Sequence, residues 1–482
     1  MTRHSLPAII TACSLAAVTP AGADSATPPN IVFIVADDLG WTDAGFMGST
    51  YYETPNLDRL AESGMVFTDA YAPAANCAPS RASVLTGQAT PRHGVLTVSN
   101  PERGRSEHRR LIPPPNKTTL DPALTTFPRL LQEAGYQTFH IGKWHLGDDA
   151  RPHGYDEAIG GHAGGMTPGG YFSPYRIPTL EDGPEGEYLT DRLGREAAAL
   201  IEARDDSRPM LLSMQFYSPH TPIEAPEETI DRFRDKPATP IHFNPVYAAM
   251  IHHLDRSVGR ILDALERQGI LDDTFILFTS DNGGILGISG QDPLRAEKGA
   301  FYEGGLRVPM IVTWPGRVEP GVRSATPVTG LDYFPTFLEI AGVEKPEEHI
   351  TDGDSLLPYL TGTGTLDADR KLFWHFPFYL QAYQGGNAHT RDVLFRTRPG
   401  SLVRVGDWKL LEYFEDDALE LYKIGDDIGE RRNLADIFPG KTEELHRILR
   451  DWREETSAPL PIGPNPDFDA EAEARALRRH MR

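Results

Sequence analysis

Residues 30–38 read Asn30-Ile31-Val32-Phe33-Ile34-Val35-Ala36-Asp37-Asp38. Six apolar residues in a row, most of them β-branched, predict a strand buried on both faces, the type found in parallel sheets. Two adjacent carboxylates then follow at its carboxyl end. Outward from this strand, the chain alternates in the same style. The pattern predicts helices over 54–62, 80–86, 127–134, 188–203 and 246–268, with strands over 137–141, 210–215, 275–279 and 308–313. Alternating buried strands and amphipathic helices indicate an α/β fold, a large mainly parallel sheet sandwiched by helices. Ligands of such sheets bind beyond the carboxyl ends of the strands. Asp37-Asp38 and Asp281-Asn282 both fall at such ends. After about residue 370 the character changes. Residues 402–405, the turn pair Gly406-Asp407 and residues 408–413 read as an antiparallel hairpin, with a further strand near 419–424 and a helix over 441–457. The organisation expected is a processed leader (1–23), a catalytic α/β domain (24–370) and a smaller C-terminal α+β domain (371–482) that contributes to the substrate pocket.

The chain has 482 residues, a net charge of −22 and two cysteines. Length and cysteine poverty exclude a disulfide-stapled mini-fold. The acidic balance argues against a nucleic-acid binder, which needs a basic face. No apolar stretch is long enough to span a bilayer. Residues 1–23 have a positive start at Arg3, a short apolar core from Leu6 to Val18 and the small-residue pattern Ala21-Gly22-Ala23. This predicts cleavage near Ala23–Asp24 and an exported protein, periplasmic or secreted. A rival reading takes Ile10-Thr11-Ala12-Cys13 as a lipoprotein box. Cleavage after Ala23 removes Cys13 and leaves one cysteine, Cys77.

Three clusters carry chemistry. Asp37 and Asp38 repel each other unless a cation compensates, and hard oxygen ligands suit calcium or magnesium; the bland alternative is a solvated strand end. Asp281-Asn282-Gly283-Gly284 again sets oxygen ligands after a strand, or forms a simple Asx turn. The run Cys77-Ala78-Pro79-Ser80-Arg81 through Leu85-Thr86-Gly87 puts Cys77 at a helix N-terminus, where backbone N–H groups favour an anion, with Arg81 one turn on. A buried structural cysteine is its bland reading.

Taken together, these motifs resemble the type I, formylglycine-dependent sulfatases of the alkaline-phosphatase-like superfamily. The resemblance is carried by Cys77-x-Pro79-Ser80-Arg81 with Leu85-Thr86-Gly87, by Ile31 to Gly40, Gly142-Lys143-Trp144-His145, Ser218-Pro219-His220, Asp281-Asn282-Gly283, Lys298-Gly299 with Glu303 to Arg307, and Gly406-Asp407-Trp408. It spans roughly residues 29–460. It implies hydrolysis of a sulfate monoester, on a sulfated carbohydrate, through a formylglycine made from Cys77 by a dedicated maturation enzyme. One calcium ion would be held by Asp37, Asp38, Asp281 and Asn282, with the modified Cys77 facing it. Arg81 and Lys143 would stabilise the aldehyde hydrate and the sulfate, and Lys298 would bind a sulfate oxygen. His145 would help regenerate the aldehyde, and His220 would protonate the leaving alcohol. His93, His162, His375 and His389 lie in Gly- or aromatic-rich loops and are candidate sugar contacts, with Tyr171 and Arg391. The segment Phe376 to Pro399 is expected to cover the site. Two positions depart from the family pattern: Gln88 follows Gly87, and Phe378 follows Trp374-His375-Phe376-Pro377. Both bear on substrate choice. A phosphomonoester or phosphonate hydrolase and a non-catalytic sulfated-glycan binder are the alternatives. Asn282 argues against the first, whose two-metal sites use imidazole ligands.

Overall fold

The computed structural model describes residues 28–383 and 389–480. The leader with Cys13 and part of the 376–399 segment lie outside the described residues. The strand Asn30–Ala36 is central and wholly buried. Its side chains alternate as period two requires. Val32, Ile34 and Ala36 join one apolar core with the long helices Leu189–Ala203 and Pro245–Arg267. Ile31, Phe33 and Val35 join a second core with the helices Cys77–Thr86, Phe127–Glu133 and Tyr333–Ala341. The sheet is therefore covered on both faces, which is why its strands read as continuous apolar runs.

Across the sheet the strand order is Val328–Thr329, Met65–Tyr71, Arg307–Thr313, Thr274–Ser280, Asn30–Ala36, Met210–Gln215, Gln137–Gly142 and Glu157–Ile159, with Val322–Ser324 also on the Met65 strand. All neighbours run parallel except Arg307–Thr313, which is antiparallel to both of its partners. That reversal has a consequence for the site. An antiparallel return needs no crossover helix, so the chain from Asp281 to Leu306 stays at one sheet edge and carries Asp281, Asn282 and Lys298 together.

The C-terminal region forms a four-stranded antiparallel sheet in the order Lys371–Phe376, Gly400–Val405, Trp408–Tyr413 and Ala418–Lys423. The hairpin turn is at Gly406-Asp407, with Gly406 at φ 55°. One face packs Val403, Leu410 and Leu421 under the helix Pro439–Glu455. The other packs Leu402, Leu411 and Tyr413 onto Phe301, Tyr302 and Leu306 of the large region. Among the described residues, no helix is long and apolar enough to cross a membrane.

Candidate active site

Four strand ends converge. The backbone ladder runs on past the strands and ties their loops together: Asp281 N–H donates to Ala36 O (3.1 Å), Asp37 N–H to Ser218 O (3.2 Å) and Lys143 N–H to Gln215 O (2.8 Å). Gly142 sits at φ 93°, and a Cβ there would lie 2.0 Å from Gln215 O; only glycine turns this strand so that Lys143 enters the site. Asp38 (φ 65°) and His145 (φ 63°) hold left-handed backbone without being glycine, a strain that concentrates at functional sites. Cys77 opens a ten-residue helix in which every side chain is buried, and Gly87 closes it in the left-handed conformation.

The side chains form one buried ionic cluster. Lys143 Nζ donates to Asp37 Oδ2 at 2.6 Å. Lys298 Nζ reaches both oxygens of Asp38, at 2.6 and 2.8 Å. Asn282 Nδ2 donates to Asp38 Oδ1 at 2.7 Å. Cys77 Sγ stands 3.7 Å from Asp37 Oδ1. Arg81 spends four of its five N–H groups on Asp281 Oδ2, Gln215 Oε1 and Lys143 O. His220 Nδ1–H donates to Thr221 O at 2.6 Å, so its other nitrogen faces Asp38 Oδ2 at 3.6 Å.

The titration of these groups follows from burial against charge. Burial pushes the Cys77 thiol up, but Lys143 and Lys298 outweigh it and leave it lowered to about 7. Burial raises Asp37 well above the carboxylate range, against the pull of Lys143. Asp38 is lowered despite its burial by Lys298 and His220. Burial, Lys143 and Arg81 hold the His145 imidazole neutral, well below its ordinary value. His220 is raised, because Asp38 overcomes its burial.

Could these residues hold a metal? Ligand atoms of Asp37, Asp38, Cys77 and His220 all lie within 4.8 Å of one another. Asn282 Oδ1 is buried and has no hydrogen-bond partner among the described residues, an orphaned acceptor of the kind a hard cation satisfies. The donor set, mainly oxygen, fits a hard dication. His220, absent from the expected ligand set, stands inside this cluster. Asp281 stands beside it, with one oxygen on Asp38 N–H and the other on Arg81.

A family model described as Sulfatase matches residues 29–343. The chain belongs to the sulfatase family. It is a sulfuric ester hydrolase. A second model, N-sulphoglucosamine sulphohydrolase C-terminal, matches residues 296–455. A sulfatase of Formosa agariphila is 32% identical over 517 residues, covering 91% of this chain and 91% of that protein. Human N-acetylgalactosamine-6-sulfatase is 32% identical, covering 91% of this chain and 87% of that protein. The crystal structure of Ps i-CgsB in complex with k-i-k-neocarrahexaose superposes with a TM-score of 0.74 at 29% identity, covering 94% of this chain and 98% of that one.

In this sulfatase a cavity of about 380 Å³ opens over the cluster, reaching Cys77, His145, His220 and Lys298. It separates the expected sugar contacts. His93 is buried, takes Val95 N–H on Nδ1 and donates from Nε2 to Ser83 Oγ. His375 donates from Nε2 to Pro459 O and takes Ser401 Oγ on Nδ1. Both are core histidines with every ring nitrogen engaged, and neither reaches the cavity. Tyr171 is also buried. Its hydroxyl lies 2.6 Å from Tyr217 O and 2.9 Å from His220 O, so it braces the His220 turn instead of touching sugar. His389 lines a different cavity, with Arg295 and Glu430. Arg391 is paired with Asp416 and stacked on Tyr413. His162 stacks on Tyr217, takes Gly164 N–H on Nδ1 and receives His145 N–H on its carbonyl, a support for His145 behind the wall. The walls are built instead by Arg103, Met166, Thr221, Tyr383 and Arg396. Local sequence gave no sign of Arg103. Arg396 lies five residues from Arg391, and only the short strand Phe395–Thr397 decides which arginine faces the cavity.

Proposed function

We propose that this sulfatase desulfates a carbohydrate outside the cytoplasm, using a formylglycine matured from Cys77 and one calcium ion on Asp37, Asp38, Asp281 and Asn282. The observation that carries the reading is the position of Cys77: it opens a buried helix, 3.7 Å from a carboxylate, with two lysines close enough to lower its thiol. The relatives that act on N-acetylgalactosamine sulfate or bind a carrageenan oligosaccharide support the carbohydrate part. Export and cleavage near Ala23–Asp24 rest on the leader pattern alone.

When matured, Cys77 supplies a hydrated aldehyde whose hydroxyl is the nucleophile toward sulfur. When held by Asp37, Asp38, Asp281 and Asn282, calcium would supply positive charge that offsets the negative charge of the sulfate group. The chain's own residues do the rest. Lys143 and Lys298 place two ammonium groups where negative charge grows on sulfate. Arg81 fixes Asp281 and keeps one N–H for an oxyanion. His220, oriented by Thr221 O, presents Nε2 as the proton donor to the departing alcohol. His145, kept neutral, is able to accept a proton from the Cys77 position.

The test is co-expression with a maturation enzyme, mass spectrometry of the peptide containing Cys77, metal analysis, and sulfate release from galactose-, glucosamine- and uronate-based sulfated oligosaccharides. We expect formylglycine, one calcium per chain, and activity that Cys77→Ala abolishes. Confirmed formylglycine with no sulfate released from any of these sugars sinks the carbohydrate reading.

A further inference from the structure

Among the described residues, the buried arginines have carboxylate partners, with one exception. Arg81 pairs with Asp281, Arg109 with Glu102, Arg307 with Asp69, Arg370 with Asp332, Arg398 with Glu415 and Arg404 with Asp69, all within 3.2 Å. Arg396 is 5% exposed and has no carboxylate at ion-pairing distance among the described residues. Its Nε donates to Gln381 O and its Nη1 to Lys298 O, both at 3.1 Å, and its plane lies 3.9 Å from the Tyr383 ring centre. Three of its N–H groups have no hydrogen-bond partner among the described residues. The residues after Tyr383, Gln384 to Ala388, contain no acid.

A second guanidinium shares the cavity. Arg103 donates from Nη2 to Ser99 Oγ (2.8 Å) and Val98 O (3.2 Å), and it too has no ion pair among the described residues. Burial and then the charge of Arg396 hold Arg103 below its ordinary value, so the two cations feel each other. Two like charges facing one cavity are costly without an anion between them. Arginine's planar fork suits carboxylate and sulfate alike.

We propose that Arg103 and Arg396 form a second anion subsite, so that the preferred substrate carries another carboxylate or sulfate next to the ester that is cleaved. The bond from Arg396 to Lys298 O ties this subsite to the lysine of the sulfate pocket. The second anion is therefore read within one sugar or its neighbour. The proposal rests on the carbohydrate reading above and narrows it to polyanionic glycans.

The experiment uses three disaccharides with the same scissile sulfate, whose neighbouring group is neutral, a uronate or a second sulfate, plus a small aryl sulfate. We expect kcat/KM for at least one dianionic sugar to exceed the neutral one by about 10- to 100-fold, chiefly through KM. The two dianionic arms decide between carboxylate and sulfate. The preference should shrink as salt rises. It should collapse in Arg103→Gln and Arg396→Gln and partly survive in Arg396→Lys, which keeps the charge. A role confined to propping Lys298 predicts equal losses on all three sugars, and that result overturns the subsite. So does a wild-type preference within about twofold; this holds even if a variant does not fold. Turnover of the neutral sugar without preference leaves the carbohydrate reading standing. Turnover of the aryl sulfate alone removes that reading and the subsite with it.

Discussion

His220 shows how little freedom a single residue has here. Its Nδ1–H is committed to Thr221 O, its carbonyl is braced by Tyr171, and Asp38 favours its charged form. The proton therefore sits on Nε2, toward the cavity. A general acid matters in proportion to how poor the leaving group is. We predict that His220→Gln lowers kcat/KM on a sugar sulfate by about 10²- to 10⁴-fold, and on 4-nitrophenyl sulfate by less than about tenfold. Equal losses on the two substrates, measured by sulfate release, would show that His220 positions the site and does not donate the proton. The same reasoning separates residues of one type. His93 and His375 have every ring nitrogen engaged in the core, whereas His145 Nδ1 has no partner among the described residues.

At the scale of elements, the hairpin at 400–413 does more than close the C-terminal sheet. From the strand Trp408–Tyr413, Lys409 reaches toward the main body, and its Nζ meets Glu303 there at 2.9 Å and Glu430 of the C-terminal region at 2.8 Å. Glu303 also faces Arg307. Burial raises Glu430 to about 7, with Lys409 opposing and Glu303 adding to the rise. All three groups are fully buried, so the lysine cannot be removed without stranding carboxylates. We predict that Lys409→Met destabilises the protein by about 3–5 kcal/mol, read as a shift of the denaturant midpoint at constant slope. A loss below about 1 kcal/mol would place the pair with exposed, weakly contributing bridges. Glu303 precedes the antiparallel strand Arg307–Thr313, so this contact joins the C-terminal sheet to the loop that carries Lys298.

For the whole molecule, the buried histidines contribute to acid sensitivity. Burial lowers His93 and His140 to about 3 and His375 to about 4, from an ordinary 6.5. The unfolded chain takes up these protons near pH 6.5; the folded chain does not until about pH 4 or below. Their contribution is complete above pH 6.5 and is lost as pH falls from 6.5 toward 4, at up to about 1.4 kcal/mol per pH unit for each histidine. We predict a melting temperature that falls steeply over this window, and a shallower slope of stability against pH in His375→Gln. An unchanged slope in the variant would assign the acid sensitivity to other groups. The αβα layering was legible in the sequence, because runs such as residues 31–36 are apolar on both faces and can settle only inside a covered sheet. Part of the buried cluster was legible too, because Asp37, Asp38 and Asp281 follow strand ends and Cys77 opens a helix, whereas Lys143 and Lys298 were expected from the family resemblance and Lys298 reaches the cluster through the antiparallel return. The antiparallel direction of residues 307–313 emerges only in the fold, since strand direction is set by a partner far along the chain. The fold alone decided the cavity walls. Which of His93, His375, Arg391 and Arg396 lines the cavity depends on the partner the fold sets against each one, Ser83 for His93, Pro459 for His375, Asp416 for Arg391 and the Lys298 carbonyl for Arg396, and periodicity and turn signals do not encode that choice.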